Sequence, residues 1–306
     1  MHQTPAVRVD DERLTDLVSP SASVTWLGGG ATWSEGPLWL PGEDAVIWSD
    51  IPGDRILRWT ESTGQVTVDR TGVEFTNGRT LDLDGRVVTC SHGRRAVERT
   101  EADGSTAILV DRFGSARLNS PNDVVVASDG AIWFSDPPYG IVQPHEGHLG
   151  TPEYGGNHVF RFVPETGALT AAVVDVEEPN GLAFSPDERL LYVSDTSAAL
   201  RTDGGGNHCI VVYDVLDDWQ CVNGRLFAEI NPGLADGFRV DVHGNVWTSS
   251  ADSVQVFAPD GVRLGQVPVP ETVGNLCFGG VNSDVLYIAA TTSLYRLQTT
   301  TRGART

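Results

Sequence analysis

Glu35-Gly36-Pro37-Leu38-Trp39-Leu40-Pro41-Gly42-Glu43-Asp44-Ala45-Val46-Ile47-Trp48-Ser49-Asp50 decides the fold. A carboxylate and a glycine open it, Pro37 to Leu40 form an apolar run, and Pro41 to Asp44 supply turn residues. Ala45 to Ser49 return as a β-branched and aromatic strand. Downstream, Arg55 to Trp59 alternate apolar and polar residues as a third strand, and Gln65 to Val68 supply a fourth after the Glu61 to Gly64 turn. The same grammar restarts at Asn77-Gly78, Asn122-Asp123, Asn180-Gly181, Asp236-Gly237 and Asn275-Leu276. These starts are 42, 45, 58, 56 and 39 residues apart. A period near 40–50 residues with several short strands per unit marks a β-propeller. The expected fold is therefore all-β: a six-bladed β-propeller with four-stranded antiparallel blades around a central channel. Val24 to Leu27, ahead of the first unit, is expected to pair into the last blade and close the ring, removing an exposed sheet edge.

The chain has 306 residues, and no composition break divides it. Residues 1–20 read as a loosely ordered N-terminal segment and 21–300 as one propeller domain. A formal net charge of −20 argues against nucleic-acid backbones and anionic membranes as partners. No run of 18 apolar residues exists, and the opening 20 residues lack an apolar secretory core, so a cytoplasmic, membrane-free protein is expected. Cys90, Cys209, Cys221 and Cys277 show no zinc spacing. They read as free thiols, although Cys209 and Cys221 could face each other across a hairpin.

In a radial arrangement, the first residues of the six units converge on one axis. Glu35 and Asp236 then bring two carboxylates, and Asn77, Asn122, Asn180 and Asn275 bring neutral carbonyl oxygens. An all-oxygen ring suits a hard cation such as Ca2+, Mg2+ or Mn2+. Turn formation by Asn-Gly and Asp-Gly is the plainer explanation of each pair alone, but it explains six in phase poorly. Because the second strand runs antiparallel to the first, its end lies near the ring. Ser49-Asp50, Ser91-His92, Ser135-Asp136 and Ser194-Asp195 all end second strands, so the loops that follow should form the mouth. One of these, residues 137–157, is long enough to cover a site and contains Tyr139, His145, Glu146, His148 and Tyr154. Its two histidines lack a third ligand at zinc spacing. His92 and Arg94 stand at another strand end, where an arginine fork could hold a hydroxylated or anionic substrate or pair with a neighbouring aspartate.

Ser34-Glu35-Gly36-Pro37, Leu118 to Asp123, Phe134 to Gly140, Pro179 to Asp187 and Asp236-Gly237-Phe238 resemble the SMP-30/gluconolactonase/luciferin-regenerating-enzyme-like family, its bacterial gluconolactonases most of all. The resemblance runs through residues 25–298. It implies one catalytic divalent cation, Ca2+ first and Mg2+, Mn2+ or Zn2+ as alternatives, held by Glu35, Asn122, Asn180 and Asp236. Asp236 is implied as general base, with Glu35 beside it in the catalytic pair. Asn77, Asn122, Asn275, His92, Arg94 and Tyr139 are expected to meet the substrate. Some animal relatives carry an arginine two residues before the asparagine matching Asn122, and here that position is Ser120. The implied activity is metal-dependent opening of a small lactone, such as glucono-1,5-lactone, to its hydroxy acid by a monomer or weak homo-oligomer. Phosphotriester hydrolysis on the same scaffold and a non-catalytic calcium-binding propeller are the rival readings.

Overall fold

The computed structural model describes residues 7–304 and is a six-bladed β-propeller. The innermost strands are Ser34–Leu40, Thr76–Leu81, Val124–Val126, Pro179–Phe184, Phe238–Val240 and Val273–Gly279, in blades 1 to 6. Each pairs antiparallel with the next strand in sequence, and the blade continues outward in chain order. Every innermost strand touches those of its neighbours, which closes the ring around the axis.

Large apolar side chains fill the wedges between blades, where each blade can bury its two faces. Trp39 of blade 1 stacks on Tyr287 of blade 6 with centroids 5.4 Å apart. Trp133 of blade 3 meets Phe184 of blade 4 edge-on, and Trp247 of blade 5 does the same with Phe278 of blade 6. Trp48, Trp133 and Trp247 are almost wholly buried.

The ring closes as expected, by a strand from the start of the chain. Thr25–Gly29 pairs with Ser293–Gln298, so blade 6 takes its outer strand from the chain's beginning. The opening segment departs from expectation. Residues 1–6 lie outside the described residues, but the remainder of the segment is anchored rather than loose. Arg8–Val9 adds a fifth strand to blade 5 beside Arg263–Pro268. A 3-10 turn at Glu12–Asp16 follows, and Leu14, Leu17 and Val18 enter the apolar cluster between blades 5 and 6. Two residues of strand and one tight turn carry too little periodicity to be read from sequence.

The four cysteines are free thiols. Cys209 and Cys221 do not oppose each other: Cys209 pairs in register with Glu229 and Cys221 with Val215, at opposite ends of the same strand pair.

Candidate functional site

The repeated dipeptide is a bulge and a close approach, not a turn. In blades 1, 2, 4 and 6 the pairing register slips beside the ring residue: between Glu35 and Leu38, Thr76 and Arg79, Pro179 and Leu182, and Val273 and Asn275. A bulge re-aims a side chain, here into the channel. The glycine that follows lets neighbouring inner strands touch. A Cβ on Gly36 would stand 2.2 Å from the Asn77 carbonyl oxygen, and one on Gly181 would stand 2.3 Å from that of Asp236. Main-chain hydrogen bonds use this proximity: Gly78 donates to Asn122 O at 2.8 Å, and Gly181 donates to Asp236 O at 2.9 Å.

The Ser-Asp pairs that end second strands lock the same layer. Ser49 donates to Asn77 O at 3.1 Å and Ser194 to Asp236 O at 3.2 Å, while the Ser249 hydroxyl accepts from Asp236 N at 2.8 Å. The aspartates grip the chain just ahead of each ring residue. Asp50 accepts from Thr32 N at 2.7 Å, Asp136 from Asn119 N at 2.7 Å, and Asp195 from Glu177 N at 3.0 Å. These bonds satisfy main-chain donors ahead of the ring residues and fix where the next strand begins. Behind the ring, the wholly buried Arg79 donates to Gly36 O at 2.7 Å and Ser49 Oγ at 2.6 Å.

Above this layer opens a cavity of about 540 Å3. Glu35, Asn77, Asn122, Asn180 and Asp236 all line it, so five of the six ring residues converge on one space. Asn275 does not line it. Asn275 Oδ1 accepts from Leu276 N at 2.8 Å, and its side chain hydrogen-bonds to Glu35, so it orients Glu35 rather than facing the cavity. Asn180 hydrogen-bonds to Asp236 and donates to Thr196 Oγ1 at 3.2 Å. Tyr139 lines the cavity with its hydroxyl 2.6 Å from Thr196 Oγ1. His92 and Arg94 part company. His92 is fully buried behind Asn77. Arg94 leaves the channel, bonds Glu98 at 2.9 Å and lines a separate cavity on the blade flank.

Glu35 and Asp236 lie close enough for their charges to interact, and burial is the first cause raising both carboxyls above their ordinary range. For Glu35 the second cause is the Asp236 charge; for Asp236 it is Glu146. Glu35 Oε2 accepts from Gly36 N at 2.9 Å, while Oε1 is buried without a partner. Two acids packed together with an orphaned oxygen fit a divalent cation, which would satisfy that oxygen and cancel the repulsion. Among the described residues, no three His, Cys, Asp or Glu side chains cluster as ligands, so carboxamide oxygens must complete any cage.

Sequence reasoning assigned no role to Glu146. Residues 137–157 begin with a short helix, Tyr139–Val142, and fold over the mouth. There the Glu146 side chain enters the cavity wall, and burial raises its carboxyl to about 7. A loop glutamate follows no strand period, so only the length of the loop hinted at it. His148 turns outward to Glu74 at 2.9 Å and does not line the cavity.

Three comparisons bear on this site. The family model described as SMP-30/Gluconolactonase/LRE-like region matches residues 33–292. Among curated proteins, a gluconolactonase of Zymomonas mobilis is 29% identical over 95% of this chain and 85% of its own. A pentonolactonase of Haloferax volcanii is 30% identical over 83% of this chain and 80% of its own. Among solved structures, a gluconolactonase of Xanthomonas campestris superposes with a TM-score of 0.90 at 40% identity, covering 97% of this chain and 95% of that one.

Proposed function

The chain belongs to the SMP-30/gluconolactonase/LRE-like family, and on that footing we propose that it is a cation-assisted lactonase that opens a small sugar-derived lactone to its hydroxy acid. The observation that carries this reading is the convergence of Glu35 and Asp236, with an unpartnered Glu35 oxygen, on a cavity also walled by three asparagines. Glu35, Asn122, Asn180 and Asp236 would hold the cation. When bound, a divalent cation supplies Lewis acidity to the ester carbonyl and acidifies water.

The chain's own groups do the remainder. Asp236 is partly exposed where Glu35 is buried, and it is oriented by Asn180, so it serves as general base toward a water attacking the lactone carbonyl. Glu35 is held from two sides, by Gly36 N and Asn275, which keeps it still while charge develops beside it. Tyr139 and the asparagines face the ring hydroxyls of the substrate. The loop carrying Glu146 narrows the mouth and limits bulk water.

The test is acid release from a lactone panel containing glucono-1,5-lactone, by native, chelated and cation-restored protein. Activity that falls on chelation and returns with Ca2+, Mg2+, Mn2+ or Zn2+ supports the reading and identifies the cation. Equal rates in native, chelated and Glu35→Gln protein defeat the cation's role. Failure on every lactone, with turnover of a phosphotriester such as paraoxon, defeats the substrate class.

A further inference from the structure

His92 breaks a rule that blades 1, 3 and 4 keep. There, the residue after the strand-end serine is an aspartate that grips the main chain ahead of the ring residue. In blade 2 that position is His92, and its ring is wired differently. Nδ1 lies 3.0 Å from the main-chain oxygen of Glu146, and Nε2 lies 3.3 Å from Nδ2 of Asn77.

Hydrogen-bond logic fixes the rest. A carbonyl oxygen only accepts, so Nδ1 carries the hydrogen. Burial pushes the His92 pKa down to about 4, so the ring is neutral near pH 7 and Nε2 is a bare lone pair. That lone pair takes a hydrogen from the NH2 end of Asn77. The other end, Asn77 Oδ1, is buried without a partner, on a residue that lines the channel cavity.

We propose that His92 is a positioning residue that converts docking of the 137–157 loop into a fixed acceptor, Asn77 Oδ1, for a hydroxyl group of the substrate. The loop is shaped to rest on it. A Cβ on Gly140 would come within 2.5 Å of the His92 Cβ, and one on Gly147 within 2.2 Å of Gly140 O. With the loop lifted, Nδ1 loses its acceptor. The hydrogen is then free to move to Nε2, from which it would donate to Asn77 Oδ1 and turn the carboxamide's acceptor out of the channel. Docking also carries Glu146 into the cavity wall, so one movement sets two groups. A hydroxyl-free lactone has nothing to offer Asn77 and gains nothing from the relay. The substrate half of this inference rests on the lactonase reading; the tautomer half does not.

Two measurements test it. Nitrogen-15 spectra of the histidine rings, with the His92 signal assigned by its loss in His92→Phe, should show a neutral ring protonated at Nδ1 in the native protein. In Gly147→Ala, whose new methyl would stand 2.2 Å from Gly140 O and force the adjoining Glu146 carbonyl away from His92, the signal should move toward the Nε2-protonated form. The second measurement is the ratio of kcat/KM for glucono-1,5-lactone to that for δ-valerolactone. It should fall about tenfold in both His92→Phe and Gly147→Ala, mainly through KM, as expected when a buried acceptor is left misdirected. An Nε2-protonated ring in the native protein, or an unchanged ratio in a folded Gly147→Ala, overturns the relay. If the native protein opens neither lactone, the lactonase reading falls, and the nitrogen spectra alone decide the relay.

Discussion

Gly181→Ala should damage both the fold and the activity, though it touches no functional side chain. Gly181 does not adopt a left-handed backbone, so alanine brings no conformational strain of its own. The obstacle is the neighbouring blade. The new Cβ would lie 2.3 Å from Asp236 O and 3.1 Å from Phe238 Cδ1. Reaching the 3.0 Å that real Cβ contacts need requires blades 4 and 5 to part by at least 0.7 Å at the axis. Overpacking of this kind costs about 1–3 kcal/mol. The hydrogen bonds from Gly181 N and Ser194 Oγ to Asp236 O, 2.9 and 3.2 Å long, stretch together and add about 1 kcal/mol. A loss of about 2–4 kcal/mol is expected in urea unfolding. Asp236 moves with its carbonyl, and a displacement approaching 1 Å in a reacting group costs up to about 100-fold in rate. The assay is kcat/KM on glucono-1,5-lactone at saturating cation. Gly42→Ala is the control, since a Cβ there meets nothing within 4 Å. If Gly181→Ala matches Gly42→Ala within 0.5 kcal/mol and about threefold in rate, the close approach of inner strands does not hold the ring.

Removing either acid should empty the centre: Glu35→Gln and Asp236→Asn should each lose the cation on dialysis, read by elemental analysis, and at least about 100-fold in kcat. Native metal content in both variants would show that the acids are not ligands. Arg79→Met should cost about 2–4 kcal/mol in urea unfolding, because Gly36 O and Ser49 Oγ lose their donor in a sealed layer; an unchanged midpoint would count against the clamp. Asp136 gives a pH signature. Burial raises its carboxyl to about 7, against 3.8 in the unfolded chain, despite donors from Tyr154 and Asn119. The folded protein therefore binds that proton more tightly. Its stabilisation is fully present below about pH 4 and is lost as pH rises through 7, by on the order of 2–4 kcal/mol. Asp136→Asn should make the loss of stability across that window shallower, with Glu146 and Asp236 still titrating there, and a slope equal to the native one would refute the assignment.

The blade count was legible because every unit must bring one polar side chain to the axis, so the pattern repeats with the architecture. The chemical meaning of Asn-Gly was less so. Turn chemistry and close strand approach both demand glycine, and only the 2.2–2.3 Å clearances at Gly36 and Gly181 separate them. Asn275 carried the ring signature yet serves Glu35, because side-chain direction depends on a bulge that the spacing does not encode. Arg94 sat at a strand end like the others, but the Glu98 carboxylate four residues on captures its fork. Glu146 entered the site by the path of a loop, where neither period nor turn rule constrains a side chain. His92 was noticed as a strand-end residue, but its wiring needed the loop it supports.

The strand that seals the ring has a consequence for synthesis. In synthesis Thr25–Gly29 precedes its partner, Ser293–Gln298, by about 268 residues. At about 5–20 residues per second the interval is roughly 13–54 s. Throughout it the nascent chain is an arc with two naked ends, and Trp39 of blade 1 waits for Tyr287 as a cover. The same arrangement makes Thr25–Gly29 the piece most readily lent to another incomplete arc. Crowded, fast expression should therefore favour molecules joined through exchanged outer strands, and slow expression should favour closed single rings.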